Sequence, residues 1–99
     1  MDEFGEGNDN IIFVGTKPLM AYVNGVVTQF ASLNASEVIV RARGKFIAKA
    51  VDVAEVAVRR FLIGEIENSS VVINSEEFEN KEGKQVRVST IEISLKKIM

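Results

Sequence analysis

The side chains able to do chemistry in this chain are cations. Lys17 follows a short apolar run, Ile11-Ile12-Phe13-Val14, and Arg41, Arg43, Lys45 and Lys49 span the end of a β-branched run and the start of the segment after it. Lysine and arginine in such clusters bind phosphate, as point charges or as planar donor forks. A second group, Lys81, Lys84 and Arg87, lies in a polar stretch nearer the C-terminus. Other chemistry is excluded early. The chain has no Cys and no His. That removes thiolate nucleophiles, zinc–thiolate centres, the commonest general base and the commonest transition-metal ligand. Glu76 and Glu77 are adjacent carboxylates without a pocket-forming pattern around them, and read as surface charge. No phosphate-binding glycine loop or dinucleotide fingerprint is present. The expectation is a protein that is not an enzyme, with no metal and no cofactor.

The net charge is −2, which argues against an anionic partner until its distribution is read. Residues 1–10 carry −4, residues 11–60 carry +4 and residues 61–99 carry −2. A basic central half between acidic flanks suggests a local anionic partner. The plain alternative is a solvated surface whose bases pair with acids such as Asp52 and Glu55.

The elements that must position these bases follow from periodicity. Ile11–Val14 reads as a short buried strand. Pro18 suits a helix start, where its missing N–H costs nothing. Leu19, Tyr22, Val23, Val26, Val27, Phe30 and Leu33 recur at threes and fours, which predicts an amphipathic helix. Gly25 inside it predicts a close packing contact. Glu37–Ala42, around Val38-Ile39-Val40, reads as a central strand. Residues 45–61 form a second amphipathic pattern, with Arg59 and Arg60 suited to the helix C-terminus. Residues 65–78 and 85–98 read as two strands joined by the turn cluster Asn80-Lys81-Glu82-Gly83-Lys84. The apolar phase of the last strand changes between Val86-Val88 and Ile91-Ile93-Leu95, which predicts a bulge or strong twist near Ser89-Thr90.

The fold class is therefore an α/β two-layer sandwich. Its order is β-α-β-α-β-β, with a four-stranded mixed sheet, two helices on one face and a projecting C-terminal β-hairpin. At 99 residues this is one domain, over 10–99, preceded by a disordered acidic tail at 1–9. No apolar run approaches the ~20 residues of a membrane span, and the acidic N-terminus lacks a signal-peptide pattern. A cytoplasmic location and no membrane partner are expected. In a parallel strand pair both carboxyl ends share one edge of the sheet, so Lys17 and the 41–49 bases can converge there. The hairpin is polar from Asn74 to Arg87 and projects roughly 20 Å. A ribbon of that shape can enter a nucleic-acid groove, although its four glutamates repel phosphate. Val71-Val72-Ile73 is apolar on both faces of an outer strand, so a second copy of the chain is expected to cover it.

Three segments resemble the Alba family, small archaeal chromatin proteins that bind DNA and RNA. They are Val14-Gly15-Thr16-Lys17-Pro18-Leu19-Met20, Val40-Arg41-Ala42-Arg43-Gly44-Lys45-Phe46-Ile47-Ala48-Lys49-Ala50-Val51-Asp52, and Arg87-Val88-Ser89-Thr90-Ile91-Glu92-Ile93. The resemblance implies the same element order, similar to a translation initiation factor C-terminal domain, and a homodimer with hairpin arms reaching toward the minor groove. It implies Lys17 as the loop lysine, Arg43 and Lys45 as the two bases of an Arg-Gly-Arg/Lys motif, and Lys49 as the helix lysine. Phe61 matches an aromatic used where dimers meet along DNA; its alternative is a helix core position. Two features depart from the family. Thr16 stands where many members carry a first, acetylated lysine, and the chain is acidic overall.

The function expected is a chromosome-associated architectural protein binding double-stranded DNA and RNA through its phosphates. Contacts are expected from Lys17, Arg41, Arg43, Lys45, Lys49, Lys81, Lys84 and Arg87, with weaker affinity than basic relatives show. One alternative is RNA as the main partner, read through A-form shape and 2′-hydroxyls. Another is a protein-interaction module using Phe61-Leu62-Ile63 and the hairpin edge.

Overall fold

A computed structural model describes residues 10–98. The expected acidic tail, 1–9, lies outside them. The order is β1 (Ile11–Phe13), α1 (Leu19–Ala31), β2 (Glu37–Arg43), α2, β3 (Ile66–Glu79) and β4 (Gln85–Lys97). Helix α2 is composite: a 3-10 turn over Gly44–Phe46, an α-helix over Ile47–Val56 and a π turn over Ala57–Phe61. The strand order is β1-β2-β4-β3, with β1 parallel to β2 and the other pairs antiparallel. The element order and mixed sheet are those expected from sequence.

Both helices pack on one face. Val38, Val40 and Ala42 of β2 and Ile91, Ile93 and Leu95 of β4 are buried with Val23, Val26 and Phe30 of α1 and Ala50, Val53 and Ala54 of α2. These are the alternating and three-four positions of the sequence. Gly25 marks a close approach, because a Cβ there would lie 3.3 Å from Ile12 Cδ1. Gly44 has φ +53° and turns the chain out of β2, so that Lys45 follows Arg43 around the same corner. An L side chain at that φ costs roughly 1–2 kcal/mol, and glycine avoids it.

The phase change in β4 is not produced by a bulge at Ser89-Thr90. Its ladder with β3 is unbroken from Glu79↔Gln85 to Ser70↔Ser94, and the register shift lies in β3, between Asn68 and Ser70. Ile91, Ile93 and Leu95 face the helices. Val86 and Val88 lie in the other alternation phase, on the open face, with Phe78 and Glu76 as their cross-strand neighbours. The apolar set changes sides because the covered face changes along the strand.

Among the described residues strand β3 pairs only with β4, and it is exposed along nearly its whole length. Fourteen residues at about 3.3 Å each give roughly 46 Å. This matches the 47 Å long dimension of the molecule, against 28 and 23 Å in the others.

Candidate nucleic-acid interface

The parallel pairing of β1 and β2 brings their carboxyl ends to one edge, where Val14 donates its N–H to Arg41 O at 2.8 Å. The loop beyond Val14 is held from two sides. Tyr22, in the first turns of α1, accepts the N–H groups of Gly15 and Lys17 on its hydroxyl, at 2.9 and 3.1 Å. Lys49 of α2 donates from Nζ to Gly15 O at 2.7 Å and also to Lys17 O. Its ammonium lies 5.5 Å from the Tyr22 ring centroid and 5.9 Å from that of Phe46, and Lys45 Nζ lies 5.5 Å from the Phe46 centroid. Lys17, Lys45 and Lys49 therefore share one rim, linked through this loop and this ring. Among the described residues none of the three is in an ion pair. Lys49 is engaged by carbonyls, so its part includes holding the loop that presents Lys17.

The arginines differ from expectation. Arg41 pairs with Glu92 at 2.6 Å, Arg43 with Glu76 at 3.0 Å and Arg87 with Glu77 at 3.1 Å. Asp52 and Glu55 are not their partners. Glu55 pairs with Arg59 at 2.6 Å and accepts a hydrogen bond from Asn68. Its carboxyl is held below the usual carboxylate range by those bonds, Arg59 first. The cause of the sheet pairs is register: Arg41 stands directly opposite Glu92, and Arg87 opposite Glu77. Opposite charges across a ladder attract, but exposed pairs contribute at most about 1 kcal/mol. The Arg43–Glu76 pair is more than half exposed on both sides, so a phosphate can compete for that guanidinium.

Lys81 and Lys84 lie at the hairpin tip, away from the rim. There the Asn80 side chain accepts the N–H groups of Glu82 and Lys84, and Gly83 has φ +81°. Among the described residues neither lysine is in an ion pair. Phe61 ends the π turn of α2 and is 48% exposed beside Ile63 at 69%, so it is not a core residue. Three residues escaped the reading of the sequence as candidates: Phe13, Phe46 and Phe78. With Arg41 and Arg43 they line a groove on the sheet face away from the helices. The available signal was alternation in β1, which sends Ile12 inward and Phe13 outward.

Residues 10–75 match the sequence model of the Alba family. The chain belongs to the Alba family. It is 48% identical over 87 residues to the DNA/RNA-binding protein Alba of Methanococcus maripaludis, covering 88% of this chain and 97% of that protein. It is also 48% identical over 89 residues to the protein of the same name from Methanocella arvoryzae, covering 90% and 91%. Among solved structures, Alba from Thermoplasma volcanium superposes with a TM-score of 0.78 at 46% identity, covering 87% of this chain and 98% of that one. In this Alba-family chain the loop lysine, the Arg-Gly-Lys corner and the helix lysine meet at one edge of the sheet.

The double anchorage of the loop gives a direct test. In Lys49→Met the amides of Gly15 and Lys17 should exchange with solvent about tenfold faster or more, since a bond from a charged donor contributes about 1.5–3 kcal/mol. The amides of Val40 and Leu95 should keep their protection. Unchanged exchange in the loop would show that Lys49 does not hold it.

Proposed function

We propose that this chain is an architectural protein that binds double-stranded DNA and RNA along the phosphate backbone and associates with the chromosome. The observation that carries this reading is the shared rim of Lys17, Lys45 and Lys49, which lack acidic partners among the described residues. The names of the two archaeal relatives support it. Lys17 and Lys45 present ammonium groups to phosphates. Lys49 fixes the loop and adds positive potential. Arg41, Arg43 and Arg87 join by exchanging a glutamate for a phosphate, and Lys81 and Lys84 extend contacts to the hairpin tip. No reaction step is assigned to any residue.

Each phosphate neutralised by a cation releases counterions, so affinity falls as salt rises. Net charge −2 and three glutamate-paired arginines predict fewer effective contacts and a shallower salt dependence than a basic relative has. In salt titrations of matched DNA and RNA duplexes, Lys17→Ala with Lys45→Ala should lower the log–log slope by about 2 per bound protomer and weaken all sequences alike. A double variant that matches the wild-type curve places the contacts elsewhere.

The protein acts as a homodimer in this reading. Val71, Val72 and Ile73 are 56%, 51% and 76% exposed, side by side on the outer strand. Phe61 and Ile63 are exposed as well. A second copy would bury this apolar strip and give two hairpin arms. Sedimentation equilibrium at micromolar concentration should return a mass near twice 10.9 kDa for the wild type and a lower average mass for Ile73→Asp. A wild-type monomer under those conditions would exclude the dimer.

A further inference from the structure

The open face of the sheet carries a second, chemically different surface beside the cationic rim. Its groove encloses about 580 Å³ and is bounded by Phe13 of β1, Arg41 and Arg43 of β2, Phe46 of the 3-10 turn, and Phe78 and Val88 of the hairpin. Phe13 is 62% exposed and Phe78 43%. The Arg41 guanidinium carbon lies 5.6 Å from the Phe13 ring centroid, and that of Arg43 lies 5.8 Å from the Phe78 centroid. Two cation–aromatic pairs thus line one trough.

The charges decide what fits. The groove is lined by two arginines and two glutamates, Glu76 and Glu92, each arginine paired with one of the acids. Its lining is locally neutral and offers both donors and acceptors. The glutamates repel phosphate, whereas an uncharged base with N–H and carbonyl edges meets complementary groups. The lysines without acidic partners among the described residues lie next to it: Lys45 and Lys49 both approach Phe46, a groove residue, and Gly15 of the Lys17 loop is part of its lining. For a single strand, phosphate chemistry belongs to the lysines of the rim, while the glutamate-paired arginines of the groove meet the bases. A duplex keeps its bases stacked inside and has none to offer such a trough. A single strand or an unpaired loop can splay bases onto aromatic and guanidinium planes.

We infer that this groove is a stacking site for unpaired nucleobases of single-stranded nucleic acid, with the strand's phosphates on the Lys17–Lys45 rim. The inference rests on the proposed nucleic-acid function for its rim contacts, but adds a different ligand state and different residues. Stacking uses the π-face that every base has, so DNA and RNA strands both qualify. Glu76 and Glu92 hold the guanidiniums over the rings and accept from base N–H groups, whether amino or imide.

The test is a binding comparison of wild type, Phe13→Ala with Phe78→Ala, and Lys17→Ala with Lys45→Ala. The probes are fluorescent oligo(dT), oligo(U) and matched DNA and RNA duplexes at fixed salt. Both rings are exposed, and circular dichroism melting verifies that the variants fold. The aromatic double variant should lose about fivefold or more on each single strand, while its duplex affinity stays within twofold of wild type. The lysine double variant should lose affinity for all four probes. In a strand carrying 2-aminopurine, fluorescence should be quenched by the wild type and not by the aromatic variant. An aromatic variant that binds single strands like wild type, or that loses duplex and single-strand affinity equally, overturns the stacking site and leaves the duplex reading standing. A wild type that binds neither duplex nor single strand overturns both.

Discussion

Strands β1 and β2 run parallel, and their pairing forces two distant parts of the chain to leave the sheet at the same edge. Lys17 and the Arg43-Gly44-Lys45 corner are neighbours for that reason alone. A parallel pair requires a crossover, and α1 supplies it while covering the inner face. Gly44 then turns the chain sharply enough to start α2 beside the same edge, and Lys49 reaches back to the carbonyls of the Lys17 loop. The cationic rim is a consequence of sheet topology, with each later contact refining it.

The antiparallel half of the sheet does the opposite work. Its register sets Glu92 across from Arg41, and the hairpin brings Glu76 to Arg43 and Glu77 to Arg87. The acidic arm does not cancel the positive edge uniformly. It neutralises the arginines on the sheet and arm and leaves the edge lysines without acidic partners among the described residues. One fold therefore separates a charged rim from a neutral, aromatic-lined trough, and the acidic net charge is compatible with both.

Much of this was legible in the sequence because its determinants are local. Two helical periodicities, the β-branched run at 38–40 and the turn cluster at 80–84 specify the elements, and the parallel-edge rule then places Lys17 with Lys45 and Lys49. What was not legible depends on register. Nothing within 37–43 says that Arg41 will stand opposite residue 92 rather than a neighbour, so its ion pair could not be read. The face change of Val86 and Val88 looks like a bulge or a twist in the sequence, because alternation reports only that a side is apolar and not which side is covered. Phe13, Phe46 and Phe78 come from three separate elements and meet only after the sheet and the 3-10 turn form. The composite nature of α2 was hidden too, since a 3-10 start and a π end keep nearly the same apolar spacing as an α-helix.

The central claim is that nucleic acid meets this protein at the edge formed by the carboxyl ends of β1 and β2. Lysine acetylation footprinting by mass spectrometry, with and without a saturating DNA duplex, tests it residue by residue. Lys17 and Lys45 should be protected severalfold, while Lys96 and Lys97, across from the start of β2 at the other end of the sheet, should react at the same rate in both samples. Protection of Lys96 and Lys97 with Lys17 and Lys45 left reactive would contradict the account.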